Sequence, residues 1–283
     1  MSKKSPDMKF EIVHRTIYAY ASPVHDSFNE ARLQPFSNAH QTVEHFLMKV
    51  LPAARLQHHY DFYSNIIHRF EIPEPHSTLL IESQLRITTR PPARPAKEDT
   101  PWPLARIGEA EREPRVFDFL QDSHYVERSP EVWRLALDAT AGVTDTWQAC
   151  LALLRFLHDN FKYESHSTSV HTHMRDVLRE RRGVCQDFAH VLIGLCRSLK
   201  IPALYVSGYL ATELASATHA WVEVLLPGTG WIGLDPTHNR PVDDTYVKIA
   251  VGRDYADVPP VAGHYKGTTE RRLDVKVDIK RLD

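Results

Sequence analysis

Cysteine is scarce in this 283-residue chain: Cys150, Cys185 and Cys196, with no close spacing among them. An odd number without paired spacing argues against a disulfide framework and for reduced thiols in a cytoplasmic setting. Neither charge sign is in excess. Lys and Arg total 34 against 36 Asp and Glu, a formal net charge of −2. That leaves no electrostatic case for nucleic acid or an anionic membrane surface as partner. No run approaches 18 consecutive apolar residues, which excludes a helical membrane span. The opening Met1-Ser2-Lys3-Lys4-Ser5-Pro6 leads straight into a strand-like pattern, without the apolar core of a signal peptide. Internal repeats and an acidic calcium-loop pattern are also missing. What remains is an ordinary globular composition, 42% hydrophobic and 25% charged, long enough for one large domain or two ordinary ones.

The first ninety residues read as strands. Residues 8–20 alternate, with Phe10, Ile12, His14, Thr16, Tyr18 and Tyr20 on one side. Residues 43–51 and 79–88 repeat the pattern, and Tyr60–Tyr63, Ser64-Asn65, Ile66–Ile72 reads as a hairpin. Strands without a convincing helix predict a small β-sandwich over 1–89. Residues 90–103 carry Pro91, Pro92, Pro95, Pro101 and Pro103, a density that blocks helix and ladder alike, so a stiff linker is expected there.

From 104 to 283 the pattern turns helical and then back to strand. Ser129-Pro130 reads as an N-cap with proline at the first helical position. Thr144 is expected to cap a longer helix burying Trp147, Cys150, Leu151, Leu154, Leu157 and Phe161, and a short helix follows around Met174, Val177 and Leu178. Another helix begins at Cys185, with Phe188, Ala189, Leu192, Leu195, Cys196 and Leu199 on one face, and stops at Lys200-Ile201-Pro202. Strands are predicted at 203–210, 219–226 and 231–235, with 246–251 and 273–279 completing their sheet. Helices followed by an antiparallel sheet make an α+β arrangement.

Cys185 stands apart from the other two cysteines. Cys150 and Cys196 fall on apolar helix faces, where free cysteine behaves as a small hydrophobe. Cys185 follows Gly183-Val184 at a helix entrance, where the free N–H groups and the positive end of the dipole favour a thiolate. By spacing alone, nucleophile and buried hydrophobe stay equally open. A thiolate needs a base and the base an orienting partner, and His219-Ala220-Trp221 and Leu234-Asp235-Pro236-Thr237 offer both. The bland readings are a half-exposed strand histidine and a turn aspartate before proline. His190 cannot serve as the base, because five helical steps put it about 140° around from Cys185. Asp187 reads as local support. His166, His171 and His173 suggest a metal set only weakly, having no nearby cysteine or carboxylates.

Cys185, His219 and Asp235, in this order and these contexts, resemble the transglutaminase-like family of papain-like cysteine enzymes. Gly183–His190, Ile201–Leu210 and His219–Thr237 carry the likeness, and Val251–Pro260 is similar to a bacterial branch whose N-terminal β domain residues 1–90 resemble. The resemblance implies a papain/transglutaminase-like core behind a small β-sandwich, and a Cys185–His219–Asp235 triad acting on a peptide or protein substrate without cofactor or metal. The backbone N–H of Cys185 is the expected oxyanion donor. Tyr163 or a backbone N–H near Ser167 is the expected second donor, with Gln186 as support; Trp221, Gly208 and Tyr209 are candidates to line the substrate, and Gly208 fits equally well as a strand glycine where another backbone comes close. Hydrolysis is the favoured outcome, with transamidation and a non-catalytic peptide-binding module as alternatives. For residues 1–89 three roles stay open: restricting access, recruiting substrate, or forming a homo-oligomer.

The triad requires a particular hairpin. A two-residue turn at Gly228-Thr229 would set position 222 against 235 and send His219 and Asp235 to opposite faces. An odd-numbered loop or one bulge puts them on the same face, so one or the other is expected.

Overall fold

The computed structural model describes residues 7–92, 102–107, 116–165, 167–211, 218–268 and 270–282. Most of the expected linker, residues 93–101, and His166 lie outside them.

The chain opens with one long strand, β1 (Met8–Gln34), followed by β2 (Gln41–Leu51), β3 (Gln57–Tyr60), β4 (Ile66–Ile72) and β5 (His76–Thr89). The sequence pattern anticipated β1 only through residue 20. Its first half pairs antiparallel with β5 and its second half with β4; the register breaks between Ala19 and Val24. β1 thus belongs to two sheet halves. Tyr18, Val24, Leu33, Met48, Phe70 and Ile81 fill the core they enclose. In the β3–β4 connection Ser64 takes a left-handed conformation, φ 65°. Asp61 holds that turn by accepting from the N–H groups of Tyr63 and Asn65.

The helices follow as α1 (Pro130–Ala139), α2 (Thr146–Asn160), α3 (Met174–Glu180) and α4 (Cys185–Ser198). Two short segments, β6 (Lys162–Tyr163) and β7 (Arg182–Gly183), pair parallel on either side of α3. Ser129 caps α1 as expected, accepting from the Val132 N–H at 3.2 Å. The α2 cap is Asp145 rather than Thr144. The central element is α4. It buries twelve of its fourteen residues, because α1, α2 and α3 pack around it and a sheet covers its remaining side.

That sheet is made of β8 (Ala203–Leu210), β9 (Thr218–Leu226), β10 (Gly230–Asp235), β11 (Arg240–Pro241) and β12 (Tyr246–Gly252), in the order β11-β10-β9-β8-β12. The last two strands, β13 (Val261–Lys266) and β14 (Arg271–Leu282), do not join it. Both pair with β1, β13 with its second half and β14 with its first. The expectation that 273–279 completes the second sheet is therefore corrected: period-two alternation shows a strand but not its neighbour. Arg197, fully buried near the end of α4, donates to the carbonyls of Phe119, Gln121, Ala203 and Arg253 and to the Ser123 hydroxyl. It ties the helix to the loops around it, and a pattern search that reads arginine as surface misses it. Among the described residues no helix is long and apolar enough to cross a membrane.

Candidate active site

Cys185 is the first residue of α4. Its entrance is held by the Asp187 carboxylate, which accepts from the Val184 N–H at 2.8 Å and from the Thr168 hydroxyl at 2.5 Å. Gly183 leaves the room for this. A Cβ there would sit 2.7 Å from Asp187 side-chain atoms. As the first residue of a helix, Cys185 has an N–H with no intrahelical acceptor, and this points out of the same turn as the thiol.

β9 and β10 are joined by a three-residue loop, 227–229, with Leu226 opposite Gly230 and Leu234 opposite Val222. The loop is odd-numbered, as the triad required, and His219 and Asp235 share a face. The His219 Nε2 lies 2.8 Å from the Asp235 Oδ2, and the Cys185 side chain is a close neighbour of the imidazole. With Nε2 engaged by Asp235, Nδ1 is the nitrogen left for the thiol. Burial pushes the His219 pKa down, but the bond to Asp235 and the nearness of Cys185 outweigh it and raise the value to about 9.

Asp235 is fully buried and heavily solvated by protein. Oδ2 accepts from His219, from the Nδ1 of His238 at 2.7 Å and from the Tyr246 hydroxyl at 2.6 Å. Oδ1 accepts from the backbone N–H groups of Thr237 and His238. Burial would raise its pKa; these donors, His219 first, outweigh it and hold the carboxyl well below the usual range. Burial and the Asp235 charge raise the Tyr246 pKa, so the phenol stays a donor, and Arg240 packs over its ring. The ligand atoms of His219, Asp235 and His238 all lie within 4.8 Å of one another, the spacing of a metal set. Yet both ring nitrogens and the phenol already address one carboxylate oxygen at hydrogen-bond distance. The arrangement therefore reads as a proton-mediated cluster, and a cation would have to displace those protons.

The remaining candidates separate. Tyr163, on β6 opposite Gly183, is half-exposed, with its pKa raised by burial and by its nearness to Cys185. Gln186 donates to the Val170 carbonyl at 3.2 Å, tying down the loop before α3. Trp221 stacks beside His219 at 6.3 Å but is only 1% exposed, so it walls the imidazole without lining a surface open to substrate. Of the two readings of Gly208 the structure favours close packing: a Cβ there would strike the Val247 carbonyl and the Trp221 ring. Tyr209 is buried and hydrogen-bonds the His14 Nδ1 at 2.8 Å, facing the N-terminal sheet rather than a substrate. His190 is buried between Tyr125 and Tyr205 and accepts from the Tyr255 N–H. Arg253 pairs with Asp257, and Asp254 accepts from the N–H groups of Tyr125 and Ala256.

His238 and Tyr246 were missed by sequence reasoning. A signal for His238 existed in the Asp-Pro-Thr-His run, since a turn after Asp235 can bring the i+3 side chain back to it.

Comparison with known proteins identifies the family. Residues 134–236 match the Transglutaminase-like superfamily core, and residues 10–88 match the Bacterial transglutaminase-like N-terminal region. The uncharacterized protein ML0607 of Mycobacterium leprae is 34% identical over 97% of this chain and 99% of its own length. A crystal structure from Cytophaga hutchinsonii, described as a "Putative Cysteine Protease", superposes with a TM-score of 0.82 at 26% identity, covering 99% of this chain and 92% of that one. A protein-glutamine gamma-glutamyltransferase of Pseudomonas aeruginosa is 33% identical over 32% of this chain and 16% of that protein. The chain belongs to the transglutaminase-like superfamily, in the form that carries the bacterial N-terminal region.

Proposed function

We propose that the protein is a cysteine-nucleophile amide hydrolase of the peptidase type. The observation that carries this is the buried His219, bonded to Asp235 and neighbouring Cys185 at the entrance of α4. His219 takes the thiol proton, and Asp235 fixes the ring and stabilises its charge. The thiolate attacks an amide carbonyl and the imidazolium protonates the leaving amine, leaving a thioester that water then hydrolyses. The Cys185 N–H donates to the oxyanion, and the Tyr163 hydroxyl is the second donor. The similarity to a gamma-glutamyltransferase supports a second reading, in which an amine replaces water as acceptor. The two share one acyl-enzyme and differ only in what reaches it.

The test is the pH dependence of alkylation at each cysteine of the folded protein, followed by peptide mass spectrometry. Cys150 and Cys196 are fully buried and serve as internal controls. Fast reaction of Cys185 at pH 6, abolished by His219→Ala, is the expected result. A Cys185 as inert as the other two removes the enzyme reading and leaves a binding module.

A further inference from the structure

The Asp235 carboxylate carries more donors than a triad needs. One of them comes from a residue that projects into solvent. His238 donates from Nδ1 to Oδ2 at 2.7 Å and its backbone N–H reaches Oδ1 at 3.3 Å, so it grips both oxygens. Its side chain is 45% exposed, against 9% for His219 and 0% for Asp235. Its ring lies 5.4 Å from that of His219. The backbone explains how it gets there. Asp235 ends β10, Pro236 stops the ladder, and the turn carries position 238 back over the carboxylate.

We infer that His238 is a positioning residue of the site, holding Asp235 in the orientation that serves His219 and covering that bond from water. This rests on the reading of Cys185, His219 and Asp235 as the reacting set. A carboxylate can turn about its Cβ–Cγ bond. Donors from the buried side, Tyr246 and His219, meet Oδ2 from within the protein. Among the described residues, His238 is the one exposed side chain that donates to that oxygen, and water is the natural competitor for its place. An imidazole supplied by the same turn occupies the position with a fixed donor and an apolar ring edge. The low local dielectric behind it then preserves the strength of the His219–Asp235 bond. The role does not require His238 to touch substrate or to change its charge.

The experiment compares wild type with His238→Ala, His238→Phe and His238→Asn. Asparagine can place an N–H donor near the Nδ1 position, whereas phenylalanine keeps the bulk and loses the donor. Two quantities are read on each folded protein: the rate of Cys185 alkylation by iodoacetamide at pH 6, and the downfield ring N–H proton of His219 by NMR. Thermal melts control for folding. Alanine and phenylalanine should slow alkylation about tenfold, the kinetic equivalent of one net hydrogen bond. They should also broaden or shift the His219 proton upfield. Asparagine should recover most of the rate and the resonance. Equal rates in all four proteins overturn the inference and leave the proposed function standing. So does an equal slowing in all three variants that tracks a shared loss of melting temperature, because that is packing alone. A wild-type Cys185 that does not react removes the proposed function and this role with it.

Discussion

At His219 burial and charge pull in opposite directions. Burial alone would keep the ring neutral, yet Asp235 and Cys185 raise its pKa to about 9. A raised histidine pKa stabilises the fold fully below the unfolded value of about 6.5, and the contribution disappears as pH rises through the folded value. Asp235 has the opposite sign. Its depressed pKa contributes above about pH 4 and is lost as pH falls through the folded value. Both contributions are therefore complete only between about pH 4 and 6.5. The His219 shift corresponds to about 3 kcal/mol, counted once for the coupled pair. In melts from pH 6.5 to 9.5, the wild type should lose that stability while Asp235→Asn, without the partner, follows a flatter course. Parallel curves would show that the ion pair does not form. Part of this site is legible in the sequence. The helix entrance marked Cys185 without deciding between nucleophile and buried hydrophobe; the likeness to the transglutaminase-like family joined it to His219 and Asp235, and hairpin parity decided whether those two could meet. Tyr246 was not legible, because its hydroxyl reaches Asp235 across two intervening strands, β8 and β9.

The α4 entrance is where a local sequence choice controls the placement of the thiol. Gly183 is needed for space, since Asp187 occupies the volume its side chain would take. Gly183→Ala should push Asp187 away, break its bonds to the Val184 N–H and the Thr168 hydroxyl, and leave the first turn of α4 without its cap. A lost N-cap of this kind costs about 1 kcal/mol. The expected outcome is a melting temperature a few degrees lower, with a larger proportional fall in Cys185 alkylation rate. A variant as reactive as wild type would mean that the entrance tolerates the displacement. Helices were readable here because their apolar faces repeat over three or four turns, as in α2 and α4. Strand partners were not. The bend in β1 is marked by no glycine, since residues 19–24 read Ala-Tyr-Ala-Ser-Pro-Val, and a strand that continues through a bend leaves little periodic trace. The sequence of β14 alternates cleanly, Leu273, Val275, Val277 and Ile279, but alternation is silent on which edge it will join.

In the whole molecule, the two sheets are joined by side chains that imitate a strand. β12 is an edge strand, and an edge leaves backbone groups unpaired unless something covers it. Gln41 and Asn65, both from the N-terminal region, supply the missing ladder. The Gln41 amide donates to the Lys248 carbonyl at 2.8 Å and accepts from the Lys248 N–H at 3.0 Å. The Asn65 amide does the same for Val251, at 2.7 and 2.8 Å. Phe10, Ile12, Leu85 and Ile87 of the first sheet meanwhile share the core that surrounds α4. With β13 and β14 returning to β1, the N-terminal region is built into the fold rather than tethered to it. Asn65 is fully buried, so a shape-matched Asn65→Leu leaves the Val251 N–H and carbonyl without partners, at about 1–3 kcal/mol for each unsatisfied group. Gln41→Leu should do the same at Lys248. Since β12 lies beside β8, and β8 beside the strand that carries His219, loosening this edge should reach the site. The double variant should therefore unfold several degrees below wild type in one transition, with reduced Cys185 alkylation before the melt begins. Two separated transitions, with Cys185 reacting at the wild-type rate, would instead make the first sheet an independent unit whose docking does not support the site.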